Sequence, residues 1–138
     1  MLSQGIAGPR FERPEEVVEW MGAMQAQEIR AAKWAVGLRI AKPSLTAVQE
    51  ALDSGRILRT HVMRPTWHLV AAEDIRWMLK LSAQRIISAN DSFAKGYDLD
   101  IPNELYTKAH DLLEKILCGK KSLTKQELSL IHISEPTR

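Results

Sequence analysis

Two glutamines, Gln25 and Gln27, stand two residues apart in the segment Met24-Gln25-Ala26-Gln27-Glu28. Side chains at positions i and i+2 point about 200° apart in a continuous helix, but they can face the same way in extended backbone or at a helix end. Two amides placed on one side could hold a water molecule between them, because each offers a carbonyl acceptor and NH2 donors. The alternative is a pair of solvated glutamines, which this common triplet favours when it is taken alone.

The remaining residue types argue against metal or disulfide chemistry. Cys118 is the only cysteine, so the 138 residues can form neither an internal disulfide nor a thiolate zinc cluster. The four histidines do not follow zinc-ligand spacings, and we therefore expect no metal and no cofactor. No apolar run approaches the ~20 residues of a membrane span, and residues 1–10 lack the pattern of a secretory signal. We expect a cytoplasmic protein without a membrane partner.

Positive charge is concentrated in the segment 55–72, although the formal net charge of the chain is only +2. This segment contains no aspartate or glutamate, and it includes Arg59, Arg64 and His68. A compact basic element of this kind is suited to contacts with DNA phosphates. The alternative is a solvated edge hairpin that its arginines keep soluble, and charge alone supports the two interpretations about equally.

Periodicity and turn residues predict the elements that would position these side chains. Three helices and two strands are expected at about 14–24, at about 28–40, from Ser44 or Thr46 to just before Gly55, at 57–63 and at 66–70. Three helices followed by a β-hairpin are the order of a winged helix. The third helix would present Glu50 and Asp53 to the DNA, so the hairpin is expected to contribute more to binding than that helix.

Two long helices are predicted after the hairpin, over 73–90 and 102–118, with a loop at 91–100 between them. Each has an apolar stripe, and we expect the stripe of the second helix to face inward. The stripes consist of Ile75, Met78, Leu79, Ile86 and Ala89 on the first helix and Leu105, Ala109, Leu112, Leu113 and Ile116 on the second. Residues 122–127 read as the capped start of a further helix.

The predicted fold class is therefore mainly α with a small β-hairpin. The expected organisation is a winged helix-turn-helix domain at 1–72, a helical connection at 73–121 and the start of a truncated second winged helix at 122–127. Residues 128–138 resemble one reading frame of a transposon-end sequencing adapter, so we expect a non-native tail there. The chain would then be the N-terminal piece of a larger protein.

Four separated segments resemble, in order and spacing, the winged-helix DNA glycosylase family of the AlkZ/YcaQ type. They read GIAGPRF at 5–11, VVEWMGAMQAQ at 17–27, AKWAVGLR at 32–39 and RTHVMRPTWHLV at 59–70. The resemblance covers about residues 1–127. It implies tandem winged helices followed by a small β-barrel, and hydrolysis of the N-glycosidic bond of alkylated purines in double-stranded DNA without a metal.

The resemblance also assigns roles to individual residues. Gln25 and Gln27 match the catalytic Gln-x-Gln motif of one branch of the family. The hairpin implies DNA contacts by Arg59, Arg64, Thr66 and His68, although His68 could equally be a hairpin histidine bonded to its neighbours. We expect a monomer. We also expect the isolated chain to be inactive, because much of the DNA-binding surface would lie outside it. The alternative is a non-catalytic winged-helix DNA-binding protein, such as a transcriptional regulator.

Overall fold

The computed structural model describes residues 4–7, 11–63, 66–99, 101–119 and 122–134, with side chains in the last of these ranges as far as Ser129. The chain divides into two compact units, Met1–Phe93 and Ala94–Arg138. The domain boundaries expected near residues 72 and 121 stay predictions. Within the described residues, no helix is long and apolar enough to cross a membrane.

The first unit contains helices and strands in the order that the sequence predicts, with one additional strand. These elements are α1 (Pro14–Met21), β1 (Ala23–Gln25), α2 (Ile29–Gly37), α3 (Leu45–Asp53), β2 (Ile57–His61), β3 (Trp67–Ala71) and α4 (Ile75–Gly96), which continues into the second unit. The result is a mostly helical chain with a small antiparallel sheet, consistent with a winged helix.

Helix α1 begins and ends at residues suited to those positions. Pro14 is its first residue, where a missing N–H costs nothing. The Glu16 carboxylate accepts hydrogen bonds from the Arg13 guanidinium and from the Arg13 backbone N–H, and these bonds hold the pKa of Glu16 below its usual value. Gly22 then has φ 73°, a conformation that glycine adopts without strain, and it ends the helix. The prediction that this helix continues to Met24 is therefore wrong.

Strand β1 was not predicted, and it turns the expected hairpin into a three-stranded sheet. The strand order is β1-β3-β2, and both pairs are antiparallel. In this register Gln25 lies opposite His68, and His68 lies opposite Thr60. The sheet therefore brings the first predicted catalytic glutamine next to the predicted DNA-contacting hairpin.

The core of the first unit lies on both faces of this sheet. The larger cluster joins the sheet to helices α1, α2 and α3. Its largest fully buried side chains are Val17, Val18, Val36, Val48, Ile57 and Leu69. On the opposite face, Val62 and Val70 pack with Met78 of α4. Burying one such aliphatic side chain stabilises the fold by about 1.5–3 kcal/mol, so the sheet is held firmly on two sides.

Side-chain caps define the starts of α2 and α3. Glu28 accepts a hydrogen bond from the Arg30 backbone N–H. Of the two caps considered for the third helix, Ser44 is the one observed, with its hydroxyl accepting from the Ala47 N–H at 3.1 Å. Helix α2 ends at Gly37, before the predicted end at Ile40, because Ile40 instead forms a parallel β-bridge with Phe11.

The second unit contains the end of α4, helix α5 (Asn103–Leu117) and helix α6 (Lys125–Ser134). Helix α4 continues through 91–96, where the prediction of a loop is wrong. The predicted inward stripe of α5 is also wrong, since none of its residues is buried and Leu105 is 54% exposed. Periodicity shows that a helix has an apolar face, but the described part of this unit supplies little to cover it. On α4, Met78 of the predicted stripe is buried and Ile75 packs against the same cluster, whereas Leu79 is exposed and Ser82 is buried.

The predicted helix start at 122–127 is confirmed. Thr124 and Glu127 form a reciprocal cap, in which the Glu127 N–H donates to the Thr124 hydroxyl and the Thr124 N–H donates to the Glu127 carboxylate. Helix α6 continues through residues 128–134 of the adapter-like tail. Residues 135–138 and the side chains of Ile131 and Ile133 lie outside the described part, so the non-native origin of the tail stays a prediction.

Candidate active site

Non-helical backbone joins the two predicted catalytic glutamines, since strand β1 ends at Gln25 and Gln27 lies in a bend. Gln25 is the last residue of strand β1, and its side chain is exposed. The pairing with β3 continues for one more residue, because the Ala26 N–H donates to the Trp67 carbonyl at 2.7 Å. A non-helical link of this kind is what the same-side arrangement of Gln25 and Gln27 requires. That both amides aim at one point stays a prediction.

The amide of Gln27 is anchored to the hairpin. Its Oε1 accepts a hydrogen bond from the backbone N–H of Trp67 at 2.8 Å. A backbone N–H can only donate, so this contact fixes which end of the amide faces the strand and leaves the Nε2 group pointing away as a donor. Gln25, in contrast, makes no side-chain hydrogen bond with the described residues. The two glutamines are therefore unequal, one held in place and one available to a ligand.

Arg59 of strand β2 contacts the same link. Its Nε and Nη2 donate to the Ala26 carbonyl at 3.1 and 3.0 Å, and Nη2 also donates to the Gln27 carbonyl at 3.2 Å. The guanidinium carbon lies 4.5 Å from the centroid of the Trp67 ring, a distance at which cation–π attraction is significant. Contact between Arg59 and DNA stays a prediction.

His68 is buried beside Gln25, at 6% exposure. Its Nδ1 lies 2.8 Å from the Thr66 carbonyl oxygen. A carbonyl can only accept, so Nδ1 is the donor in this contact. This matches the alternative in which His68 is bonded to its hairpin neighbours. DNA contacts by His68 and by half-buried Thr66 stay predictions, and Arg64 lies outside the described residues.

The sequence interpretation missed Trp67, which joins these contacts. Trp67 lies opposite His61 in the hairpin, and their ring centroids are 4.1 Å apart. Its backbone N–H holds Gln27, and its ring covers Arg59. The hairpin pairing could have suggested the His61 contact, but the backbone contact to Gln27 depends on the unpredicted strand β1.

On helix α3, the exposed Gln49 already has two partners within the protein. The Gln49 amide accepts from Lys33 Nζ at 2.8 Å and donates to Asp53 Oδ1 at 2.7 Å. Its hydrogen-bonding groups are thus used within the protein, which agrees with the expectation that α3 is a poor major-groove reader. Among the side chains that the structure describes, no group of three or more His, Cys, Asp or Glu residues is arranged to hold a metal ion.

Comparisons with known proteins agree with the family resemblance. A family model described as "DNA glycosylase AlkZ-like" matches residues 18–130. The chain also superposes on the solved structure of the Streptomyces sahachiroi DNA glycosylase AlkZ with a TM-score of 0.77 at 23% sequence identity. That alignment covers 97% of this chain and 36% of the Streptomyces protein, and at this identity it shows a shared fold. Curated protein sequences give no match.

Proposed function

The chain belongs to the AlkZ-like DNA glycosylase family, and on this premise we propose that the protein carrying it hydrolyses the N-glycosidic bond of alkylated purines in double-stranded DNA. One observation supports catalytic roles for Gln25 and Gln27 more strongly than any other. Non-helical backbone at the end of β1 presents the exposed Gln25 amide two residues from an amide that the Trp67 N–H already orients.

The chemistry needs a positioned water more than a strong base. An N7-alkylated purine is cationic, so the bond from C1′ to the base breaks with its electron pair leaving on the base. A water molecule then attacks the developing oxocarbenium carbon, a new C1′–O bond forms, and the water proton passes to solvent. A glutamine carbonyl can accept a hydrogen bond from that water and orient it. Because an amide is a weak base, we expect the enzyme to prefer such activated substrates.

The hairpin is the proposed DNA-contacting element, through Arg59, Arg64, Thr66 and His68. Two observations support this assignment: the segment 55–72 carries no acidic residue, and the register puts the hairpin beside Gln25. The partner would be an alkylated duplex bound by a monomer, without a metal. Because the chain spans only 36% of the Streptomyces glycosylase, the activity is proposed for the full-length protein and not for these residues alone.

The test is base release by the full-length protein. A duplex with a single N7-methylguanine is incubated with the protein in the presence of EDTA, and free base and alkali-labile abasic sites are measured. We expect both products from the alkylated duplex and neither from a matched unmodified duplex. A folded protein that binds the duplex but releases no base from alkylated DNA would contradict the proposal.

A non-catalytic winged-helix DNA-binding protein, such as a regulator, is the second candidate. This candidate is favoured by one observation: the side-chain carbonyl of Gln27 already accepts a hydrogen bond from the Trp67 backbone N–H. In that case Gln25 and Gln27 would only connect β1 to α2. Binding without base release in the same experiment identifies this candidate.

A further inference from the structure

The pairing between β1 and β3 changes at the residue after Gln25. In a hydrogen-bonded antiparallel pair, the two facing residues exchange both of their N–H···O bonds. Ala26 gives its N–H to the Trp67 carbonyl at 2.7 Å. The reciprocal bond would run from the Trp67 N–H to the Ala26 carbonyl, but each of these groups has a side-chain partner instead. The Trp67 N–H donates to Gln27 Oε1 at 2.8 Å, and the Ala26 carbonyl accepts from Arg59. Two side chains thus end the sheet at the candidate active site.

The Arg59 guanidinium holds two consecutive carbonyls of the chain. It bonds the Ala26 oxygen through Nε and Nη2 and the Gln27 oxygen through Nη2. These oxygens belong to the peptide groups on either side of the Gln27 Cα atom, so the contact fixes the backbone from which the Gln27 side chain projects. The rigid fork of an arginine can address two acceptors at once, which a lysine ammonium on its flexible stem does poorly.

The direction of the Gln27 amide follows from this arrangement. With Oε1 committed to the Trp67 N–H, its Nε2 remains as a donor, while the exposed Gln25 amide still offers a carbonyl acceptor. A water between them would donate a proton to Gln25 Oε1 and accept one from Gln27 Nε2. Because the Trp67 N–H holds the Gln27 amide, one of the two contacts to this water would be fixed in place, which two freely rotating amides could not provide.

We propose that Arg59 is a positioning residue for base release, which acts by fixing the backbone of Gln27 and thereby the direction of its amide. This inference rests on the proposed glycosylase function. It differs from a phosphate contact in what it predicts for Arg59→Lys, a substitution that keeps the charge and removes the fork. A misplacement of about 1 Å in a catalytic group can slow a reaction roughly 100-fold.

The first experiment measures single-turnover base release and duplex affinity with the full-length protein. For Arg59→Lys we expect the release rate to fall by roughly 10- to 100-fold, with duplex affinity and its salt dependence nearly unchanged, because lysine keeps the positive charge of the DNA contact proposed at this position. The matched control is Arg85→Lys, at an exposed position of α4, which should release base at the wild-type rate. A wild-type rate for Arg59→Lys overturns the proposal. So does reduced affinity at an unchanged release rate, because that result identifies a phosphate contact.

A double mutant tests whether Arg59 acts through Gln27. Residues that act as one unit have non-additive effects, so Gln27→Ala combined with Arg59→Lys should be about as slow as Gln27→Ala alone. Multiplying effects would show two independent roles and overturn the proposal.

A measurement that does not need activity completes the test. Hydrogen exchange at the Trp67 backbone amide should be faster in both variants. Gln27→Ala removes the Oε1 acceptor of this amide, and Arg59→Lys releases the backbone that holds Oε1 in place. Exchange in Arg59→Lys that matches the wild type shows that Arg59 does not hold Gln27. If the wild type releases no base, the glycosylase assignment fails, and the exchange result still decides whether Arg59 positions the amide.

Discussion

The two units of this chain differ in how they use their apolar residues. In the first unit, Leu69 is fully buried between the sheet and the helices. In the second, α5 has a comparable apolar stripe, yet it buries no residue and leaves Leu113 40% exposed. An amphipathic pattern therefore indicates a helix with an apolar face, whereas burial requires a neighbouring element. The candidate site lies wholly on the unit that has a packed core, where rigid elements can hold its groups.

Truncating matched leucines in the two units should produce the largest contrast. Leu69→Ala removes a fully buried side chain and should lower the free energy of unfolding by about 2–5 kcal/mol. Leu113→Ala, on the exposed stripe of α5, should change it by no more than about 0.5 kcal/mol. Urea unfolding followed by circular dichroism measures both. Equal costs for the two variants would contradict the difference between the units.

Removing the helix caps should give a smaller contrast in the same direction. Ser44 caps α3 in the first unit, so Ser44→Ala should lower the free energy of unfolding by about 1 kcal/mol, and Ser44→Asp should retain most of the stability. Thr124 caps α6 in the second unit. Thr124→Ala should shorten α6 without moving the main urea transition. A shift of that transition as large as the one caused by Ser44→Ala would show that the units unfold together.

The sequence was sufficient to predict the three helices and the hairpin of the first unit, because periodicity and turn residues are local signals. Strand β1 could not be found in the same way. Met24 continues the helical spacing of Val17 and Met21, and the strand exists only through its pairing with β3, more than 40 residues later. The one local signal was Gly22, whose positive φ ends the helix.

The residues of the candidate site could be predicted from the sequence, but the hydrogen bonds between them could not. The Gln25 and Gln27 pair and the basic hairpin could be named from residue types and from the family resemblance. That Trp67 and Arg59 hold one glutamine, while the other has no side-chain partner among the described residues, depends on backbone N–H and carbonyl groups. Every residue carries these groups, so side-chain patterns do not indicate which of them will meet.

The most direct test of the catalytic assignment is the single-turnover rate of N7-methylguanine release by Gln25→Ala in the full-length protein. Gln25 has an exposed amide without a structural partner among the described residues, so its removal should leave folding and duplex affinity intact. We expect release to slow by roughly 100- to 1000-fold, as when one charge-stabilising or water-positioning group is lost. Gln84→Ala, at an exposed position of α4, should keep the wild-type rate. A folded, DNA-binding Gln25→Ala variant that releases base as fast as the wild type would contradict the assignment.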